Sequence, residues 1–155
     1  MSAVAHGPTE HQIQAALFEW AAWNTRAIPH LQMLHAIPNG AGLRHTTKTA
    51  RSGKVIRFSP EANKLRREGL RAGIPDVHWP IGRGGYLSLY IEHKRGANGL
   101  SDAQSEIADM LMAEGNLVVV SRSVDESIAA IMDYWGMPIT FNQRAGKALL
   151  ALREG

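Results

Sequence analysis

The chain contains no cysteine, which excludes disulfide frameworks and thiolate metal sites and is consistent with a reducing cytoplasm. It also lacks an apolar run long enough to span a membrane, and its first twenty residues lack the basic start and apolar stretch of a secretory signal. No internal repeat is present. These absences predict a cytoplasmic protein that has no membrane partner.

The size and composition of the chain indicate one soluble domain. Its 155 residues are 45% hydrophobic, which is ordinary for a globular protein with a single core. We therefore expect one domain over residues 1–155 and no second one.

The charges are unevenly distributed, although the net charge is only +3. Residues 44–71 carry nine of the seventeen Lys and Arg residues but two of the fourteen acids. A polyanion such as a phosphate backbone is the natural partner of such a segment, and a solvated loop followed by a basic helix is the alternative. The candidate nucleic-acid-binding residues are Asn39, Arg44, Lys48, Arg51, Lys54, Arg57, Lys64 and Arg67.

Capping signals and periodicity predict the order of helices and strands. Thr9 with Gln12, Ser101 with Gln104, and Ser123 with Glu126 each form a capping-box pattern, while Leu117 to Ser121 is a continuously apolar run typical of a strand buried on both faces. The predicted elements are a helix over 9–25, a strand over 31–37, a basic loop over 39–58 with a possible short strand at 54–58, a helix from 59 that stops at Gly73, strands over 77–79 and 86–94, a helix from 101 to 115, a strand over 117–121, and helices from 123 and over 142–153. This order predicts an α/β fold with a central mixed β-sheet flanked by helices.

Three polar residues fall at the two central strands of this plan. Pro75 biases the preceding residue towards an extended conformation, which places Asp76 at the start of a strand. In the next strand, period-two alternation places Glu92 and Lys94 on one face and His93 on the other. Pairing of the two strands therefore brings Asp76, Glu92 and Lys94 into one polar cluster.

The chemistry of this cluster suits hydrolysis of a phosphodiester. Clustered carboxylates are hard oxygen ligands for Mg²⁺, which can activate a water and neutralise the phosphoryl group. A lysine beside them can orient or deprotonate the water and screen phosphate charge. The same acid-x-lysine pattern also occurs as a solvated ion pair on exposed strands.

Several motifs in order extend the pattern along the chain: Asn39-Gly40 after a strand, a basic loop, Gly73-Ile74-Pro75-Asp76, Ile91-Glu92-His93-Lys94-Arg95, Leu100-Ser101 with Gln104, and Gly115. Because these motifs occur in this order, the chain resembles the VRR-NUC (virus-type replication-repair nuclease) family of the PD-(D/E)xK nuclease superfamily. The resemblance spans about residues 9–121, leaving a C-terminal helical extension over about 123–153. It implies a restriction-endonuclease-like core, dependence on Mg²⁺ with Mn²⁺ as a substitute, and activity on DNA in a bacterial or phage-infected cell.

The resemblance also assigns roles to individual residues. Asp76 and Glu92 match the two metal-binding acids, Lys94 matches the catalytic lysine, and the backbone carbonyl of His93 would be a further metal ligand. Gln104 matches a glutamine near the catalytic face, although its capping box explains it equally well, and the two roles require different orientations of the side chain.

The family's site also includes an acid on the first helix. Glu10 and Glu19 could both supply it, and Glu10 is favoured because Gln14 follows it one turn later. The alternative for Glu10 is a role in complementing the helix dipole.

The leading hypothesis is a structure-selective DNA endonuclease that leaves 5′-phosphates, acts in repair or recombination and cuts four-way (Holliday) junctions as a homodimer. The tryptophans are expected in the core or, for Trp20 and Trp23, at a dimer interface, for which the C-terminal helix is the other candidate. Alternatives are a flap or end-processing nuclease, an RNA nuclease, and a non-catalytic DNA-binding module.

Overall fold

The computed structural model describes residues 7–38 and 46–139 and has the predicted α/β architecture. The helices are α1 Glu10–Asn24, α2 Pro60–Arg67, α3 Asp102–Ala113 and α4 Val124–Gly136, with a 3₁₀ helix at Pro29–Met33. The strands are β1 His35–Ala36, β2 Thr46–Thr49, β3 Val55–Phe58, β4 Val77–Trp79, β5 Leu89–His93 and β6 Leu117–Ser121. Within the described ranges, no helix is long and apolar enough to cross a membrane.

A four-stranded mixed sheet in the order β1-β4-β5-β6 forms the centre of the fold. β4 pairs antiparallel with both β1 and β5, whereas β5 and β6 run parallel. The register places Val77 opposite Ile91 and His78 opposite Tyr90. Because residues opposite each other share a face, the two positions of each pair lie on the same side of the sheet.

The core lies on the face that carries Val77 and Ile91, where α1 and α4 pack against the sheet. Leu17 from α1 and Ile131 from α4 are fully buried there, together with Trp79 from β4. Trp79 fits the expectation for a core tryptophan. Its Nε1–H donates a hydrogen bond of 2.8 Å to the backbone carbonyl of His30, so its polar atom is also satisfied.

The capping patterns explain where the helices begin. Complete capping boxes at Thr9 and Ser101 confirm two of the three predicted helix starts. At Ser123 the hydroxyl caps α4 as predicted, but Glu126 accepts from the backbone N–H of Arg122 at 2.6 Å instead of completing the box.

The predicted strand over 31–37 is wrong for most of its length. Pro29 sits in the first turn of the 3₁₀ helix, and Leu31 turns into the core from this helix. Only His35 and Ala36 remain to pair with β4.

The basic loop predicted over 39–58 is wrong in part, because β2 and β3 form a separate antiparallel hairpin. The possible short strand at its end is confirmed as β3. β-Branched threonines in β2 and Gly53 in the turn, with φ of +79°, are the signals for the missing strand.

Two further boundaries differ from prediction. α2 ends at Arg67, six residues before Gly73, because Gly69 already leaves the helical conformation with φ of +108°. β6 is an edge strand of the described sheet and Val120 is 37% exposed, so burial on both faces is wrong. The helix predicted over 142–153 lies outside the described residues.

Candidate active site

Asp76 is fixed between two strands at the entry to β4. The residue is 7% exposed, and its Oδ2 accepts a hydrogen bond of 2.8 Å from the backbone N–H of His93 on β5. Its main-chain carbonyl accepts a hydrogen bond of 2.7 Å from Ile37, just beyond β1. The carboxylate is therefore held in place by the pairing of the sheet.

Glu92 and Lys94 lie next to each other at the end of β5. Oε1 of Glu92 lies 3.1 Å from Nζ of Lys94, and the two residues are only 4% and 8% exposed. The backbone N–H of Lys94 donates to the carbonyl of Ser121 at 2.9 Å, which continues the pairing with β6. The structure thus brings together the acids and lysine that the alternation grouped, while their catalytic roles remain predictions.

Gln104, in the first turn of α3, connects the lysine and the acid. Its Oε1 accepts hydrogen bonds from Nζ of Lys94 at 2.7 Å and from the backbone N–H of Ser101 at 2.9 Å. Its Nε2 donates to Oε1 of Glu92. The prediction that capping and the site role need different orientations of the Gln104 side chain is therefore wrong. A single orientation serves both, because the side-chain oxygen accepts two hydrogen bonds while the amide nitrogen points to Glu92.

Glu10, and not Glu19, is the acid of α1 that lies at the cluster. Its Oε1 accepts a hydrogen bond of 3.1 Å from the backbone N–H of Arg95, directly after Lys94, and it lines the same cleft as Asp76. Glu19 is exposed on α1, more than two turns further along.

His93 lies beneath the acids on the core side of the sheet and is fully buried. Its Nε2 lies 3.1 Å from Oγ of Ser127, and its Nδ1 lies 3.8 Å from Oδ2 of Asp76 without a hydrogen-bond partner among the described residues. Burial lowers the pKa of His93, against the opposing influence of Asp76 and Glu10. Whether its backbone carbonyl binds a metal stays a prediction.

The carboxylates carry negative charge that the protein does not fully compensate. Burial, followed by the charge of Asp76, raises the pKa of Glu92 to about 7, although Lys94 lowers it. A cation between these acids would lower the pKa of Glu92 again, because an opposite charge favours the ionised carboxylate.

The donor set therefore fits a hard divalent cation, with Asp76 and Glu92 as the nearest ligands and Glu10 at the edge of the cluster. No three Asp, Glu or His side chains of the described ranges stand together as a complete ligand set. Mg²⁺ needs few protein ligands because water and substrate phosphates usually complete its coordination.

Two clefts meet at Asp76. The larger, about 750 Å³, is lined by Glu10, Gln14, Arg95 and Asn98 among others, and the smaller, about 190 Å³, by Arg66, Arg71, Gly73 and Gln104 among others. Both clefts are lined by Asp76 and by arginine, whose guanidinium group suits a chain of phosphates.

Arg95 and Asn98 were absent from the candidates drawn from sequence, whereas Arg66 and Arg71 lie in the basic segment that was expected to bind a polyanion. The position of Arg95 directly after Lys94 was the available signal. The two arginines beside the smaller cleft belong to the basic segment, but only the tertiary fold shows that they face Asp76.

The clefts are not lined by the other basic candidates whose side chains the structure describes. Arg51 and Lys54 are exposed at the tip of the β2–β3 hairpin, whose strands include the backbones of Lys48 and Arg57. Lys64 and Arg67 are exposed on α2, where Lys64 lies 3.8 Å from Glu68. Asn39 and Arg44 lie outside the described residues.

The fold is similar to a solved structure described as "VRR_NUC domain protein". The two share 29% sequence identity with a TM-score of 0.64, over 86% of this chain and 93% of that one. No family model matches the sequence, and no curated protein matches it.

Proposed function

We propose, from the premise that the chain belongs to the VRR-NUC family of nuclease domains, that it is a Mg²⁺-dependent DNA endonuclease. The observation that carries this proposal is the buried cluster of Asp76, Glu92 and Lys94, joined by Gln104. A non-catalytic DNA-binding module has no need to bury two like charges beside each other, because such burial lowers stability.

Each residue of the cluster has a distinct task in the proposed hydrolysis. Mg²⁺, when bound, supplies charge neutralisation at the phosphoryl group and lowers the pKa of a water. Asp76 and Glu92 would hold the cation, with Glu10 as a further oxygen donor. Lys94 commits two N–H groups to Glu92 and Gln104, which leaves a third to orient the attacking water or a phosphate oxygen.

The proposed reaction breaks the bond between phosphorus and the 3′ oxygen, as the resemblance to the PD-(D/E)xK superfamily implies. The oxygen of water bonds to phosphorus and releases one proton to solvent, the bond from phosphorus to the 3′ oxygen breaks, and the 3′ oxygen takes up a proton from solvent. The products would be a 5′-phosphate and a 3′-hydroxyl. Gln104 keeps Glu92 and the ammonium of Lys94 in place while negative charge builds up on the phosphoryl oxygens.

The two clefts on either side of Asp76 suggest how a DNA strand is bound. Arg95 in the larger cleft and Arg66 and Arg71 in the smaller one can contact phosphates on both sides of the scissile bond. Contacts of this kind give affinity without sequence readout, so binding should fall steeply with salt.

The decisive experiment is cleavage of labelled DNA by the wild type and by Lys94→Met, with Mg²⁺, Mn²⁺ or EDTA. Lys94→Met keeps most of the buried volume but removes the ammonium, so we expect at least about a hundredfold loss of rate with DNA binding retained. Arg26→Met, which removes an exposed cation just after α1 that belongs to no candidate site, is the matched control and should keep the rate. A wild type that binds DNA but cuts none with either metal would favour the binding-module alternative.

A finer part of the proposal is that the substrate is a four-way junction and the active form a homodimer. A twofold dimer presents two identical sites to strands of like polarity, as the symmetry of a junction requires. Trp23 is 81% exposed on α1, and a large exposed aromatic is a frequent interface anchor.

This part is tested by comparing a four-way junction with linear duplex, flap, single-stranded DNA and RNA. The mass in solution is measured for the wild type, Trp23→Ser and the control Met132→Ser, another exposed apolar residue. We expect a dimer that prefers the junction and a monomeric Trp23→Ser variant. If the wild type is monomeric and prefers flaps or ends, the proposal of nuclease activity stands, but the proposal that it resolves junctions is wrong.

A further inference from the structure

His35 and His78 bring two imidazole nitrogens together on the site side of the sheet. They lie directly opposite each other in the register of β1 and β4, and Nε2 of His35 is 3.4 Å from Nδ1 of His78. This separation is long for a hydrogen bond between two nitrogens. It agrees with the distance of about 3.3 Å between two nitrogens that bind one tetrahedral Zn²⁺ at about 2.0–2.1 Å each.

Each ring is held in the orientation that a metal ligand requires. Nδ1 of His35 lies 2.9 Å from the backbone carbonyl of Met33, so in the neutral ring this nitrogen carries the proton and Nε2 presents its lone pair. Metal-binding histidines usually donate their other N–H to such a carbonyl. The ring of His78 is stacked on Tyr90 with centroids 4.3 Å apart and planes at 14°, which restricts its rotation.

We propose that His35 and His78 form a second cation site that binds Zn²⁺ or another borderline transition metal and joins β1 to β4. Imidazole ligands favour Zn²⁺, Ni²⁺ and Cu²⁺ over Mg²⁺, which prefers oxygen. No third His, Asp or Glu of the described ranges completes a ligand set at this site. Water would fill the remaining positions, which is feasible because His35 is exposed.

The site would stabilise the part of the sheet that carries Asp76. β1 contains only two residues, and its pairing with β4 includes His35 opposite His78 and Ala36 opposite Val77. A cation that bridges the two strands binds the folded chain and not the separated ligands of the unfolded one, so it raises the midpoint of thermal unfolding.

The test is Zn²⁺ binding, by calorimetry and by the visible spectrum of Co²⁺, to the wild type, His35→Asn, His78→Asn and His11→Asn in excess Mg²⁺. Mg²⁺ occupies the acid cluster, and Glu92→Gln reports any Zn²⁺ that binds there instead. His11 is an exposed histidine of α1 and provides the matched control. We expect one Zn²⁺ per chain, at least about tenfold weaker binding in either site variant, and no change in His11→Asn or Glu92→Gln.

A measurement on the wild type keeps the proposal testable if a variant folds poorly. Zn²⁺ should shift the ¹⁵N resonances of Nε2 of His35 and Nδ1 of His78 and raise the unfolding midpoint. The proposal fails if these resonances do not move, or if Zn²⁺ binding is lost in Glu92→Gln but kept in His35→Asn. None of these outcomes depends on DNA cleavage.

Discussion

The ammonium of Lys94 donates a hydrogen bond of 2.7 Å to the side-chain oxygen of Gln104, the same atom that accepts a hydrogen bond from the backbone N–H of Ser101. The start of α3 and the end of β5 are therefore tied through one atom. Because Nε2 of Gln104 also donates to Glu92, the amide fixes the spacing of the acid and the lysine. The cap of a helix is thus part of the candidate site.

Replacing Gln104 should affect both stability and activity. Gln104→Ala removes the contacts to Lys94 and Glu92 as well as half of the capping box, so we expect cleavage to fall about tenfold or more. Ser101→Ala removes only the hydroxyl cap and should lower the free energy of unfolding by about 1 kcal/mol with little change in rate. Cleavage rates and urea unfolding of both variants decide this. Equal rates in the two variants would limit Gln104 to capping.

Glu10 should matter for metal-dependent activity and Glu19 should not. We expect Glu10→Gln to require at least about tenfold more Mg²⁺ for half-maximal cleavage, because the amide keeps the hydrogen bond to Arg95 but loses the negative charge. Glu19→Gln, on the same helix but exposed, is the control. If the two variants need the same Mg²⁺ concentration, Glu10 does not contribute to metal binding, and its role is limited to complementing the dipole of α1.

Local chemistry made part of this structure predictable from sequence. Thr9 and Ser101 carry capping boxes that involve only neighbouring residues, so two helix starts could be placed closely. Period-two alternation similarly grouped Glu92 with Lys94, since the pleat of a strand fixes side-chain direction. Pro75 located the start of β4.

Tertiary contacts made the rest unpredictable. Residues 31–37 are apolar enough for a strand, but Leu31 enters the core from a 3₁₀ helix, which depends on what packs there. Arg71 and Arg95 line the two clefts that meet at Asp76, and they come from segments that are distant along the chain. The two hydrogen bonds accepted by the side-chain oxygen of Gln104 could not be predicted, because they depend on the distance between α3 and β5, which a sequence pattern does not contain.

The raised pKa of Glu92 predicts how stability depends on pH in the absence of metal. Burial and the charge of Asp76 raise this pKa from 4.5 to about 7, so between these pH values the folded chain binds more protons at Glu92 than the unfolded chain does. The stability contributed by the protonated form is complete below about pH 4.5 and is lost as the pH rises through about 7. Glu92→Gln cannot ionise and should remove this contribution to the slope.

Urea unfolding in EDTA across this range, for the wild type and Glu92→Gln, measures the effect. Because a cation needs the ionised carboxylate, Mg²⁺ should stabilise the wild type more above pH 7 than below pH 6. The assignment to Glu92 would be wrong if both proteins showed the same pH slope in EDTA.

Gly73 should tolerate a side chain less well than Gly69. Both have positive φ, +86° and +108°, so alanine at either position costs about 1–2 kcal/mol of backbone strain. A Cβ at Gly69 meets no atom within 4 Å, whereas at Gly73 it would overlap the carbonyl of Ala103 on α3, whose carbon would lie 2.8 Å away. We expect about 1–3 kcal/mol of further destabilisation in Gly73→Ala from this overlap.

Gly73→Ala should also slow cleavage, because relief of the overlap moves the segment leading to Asp76 away from the first turn of α3, where Gln104 lies. Urea unfolding gives the difference in stability, and cleavage assayed well below the unfolding midpoint separates displacement of the site from loss of folded protein. Gly69→Ala, which meets no neighbour, should keep its rate. If the two variants lose equal stability and equal rate, then α3 does not restrict Gly73, and the close packing between this loop and the helix does not hold the candidate site together.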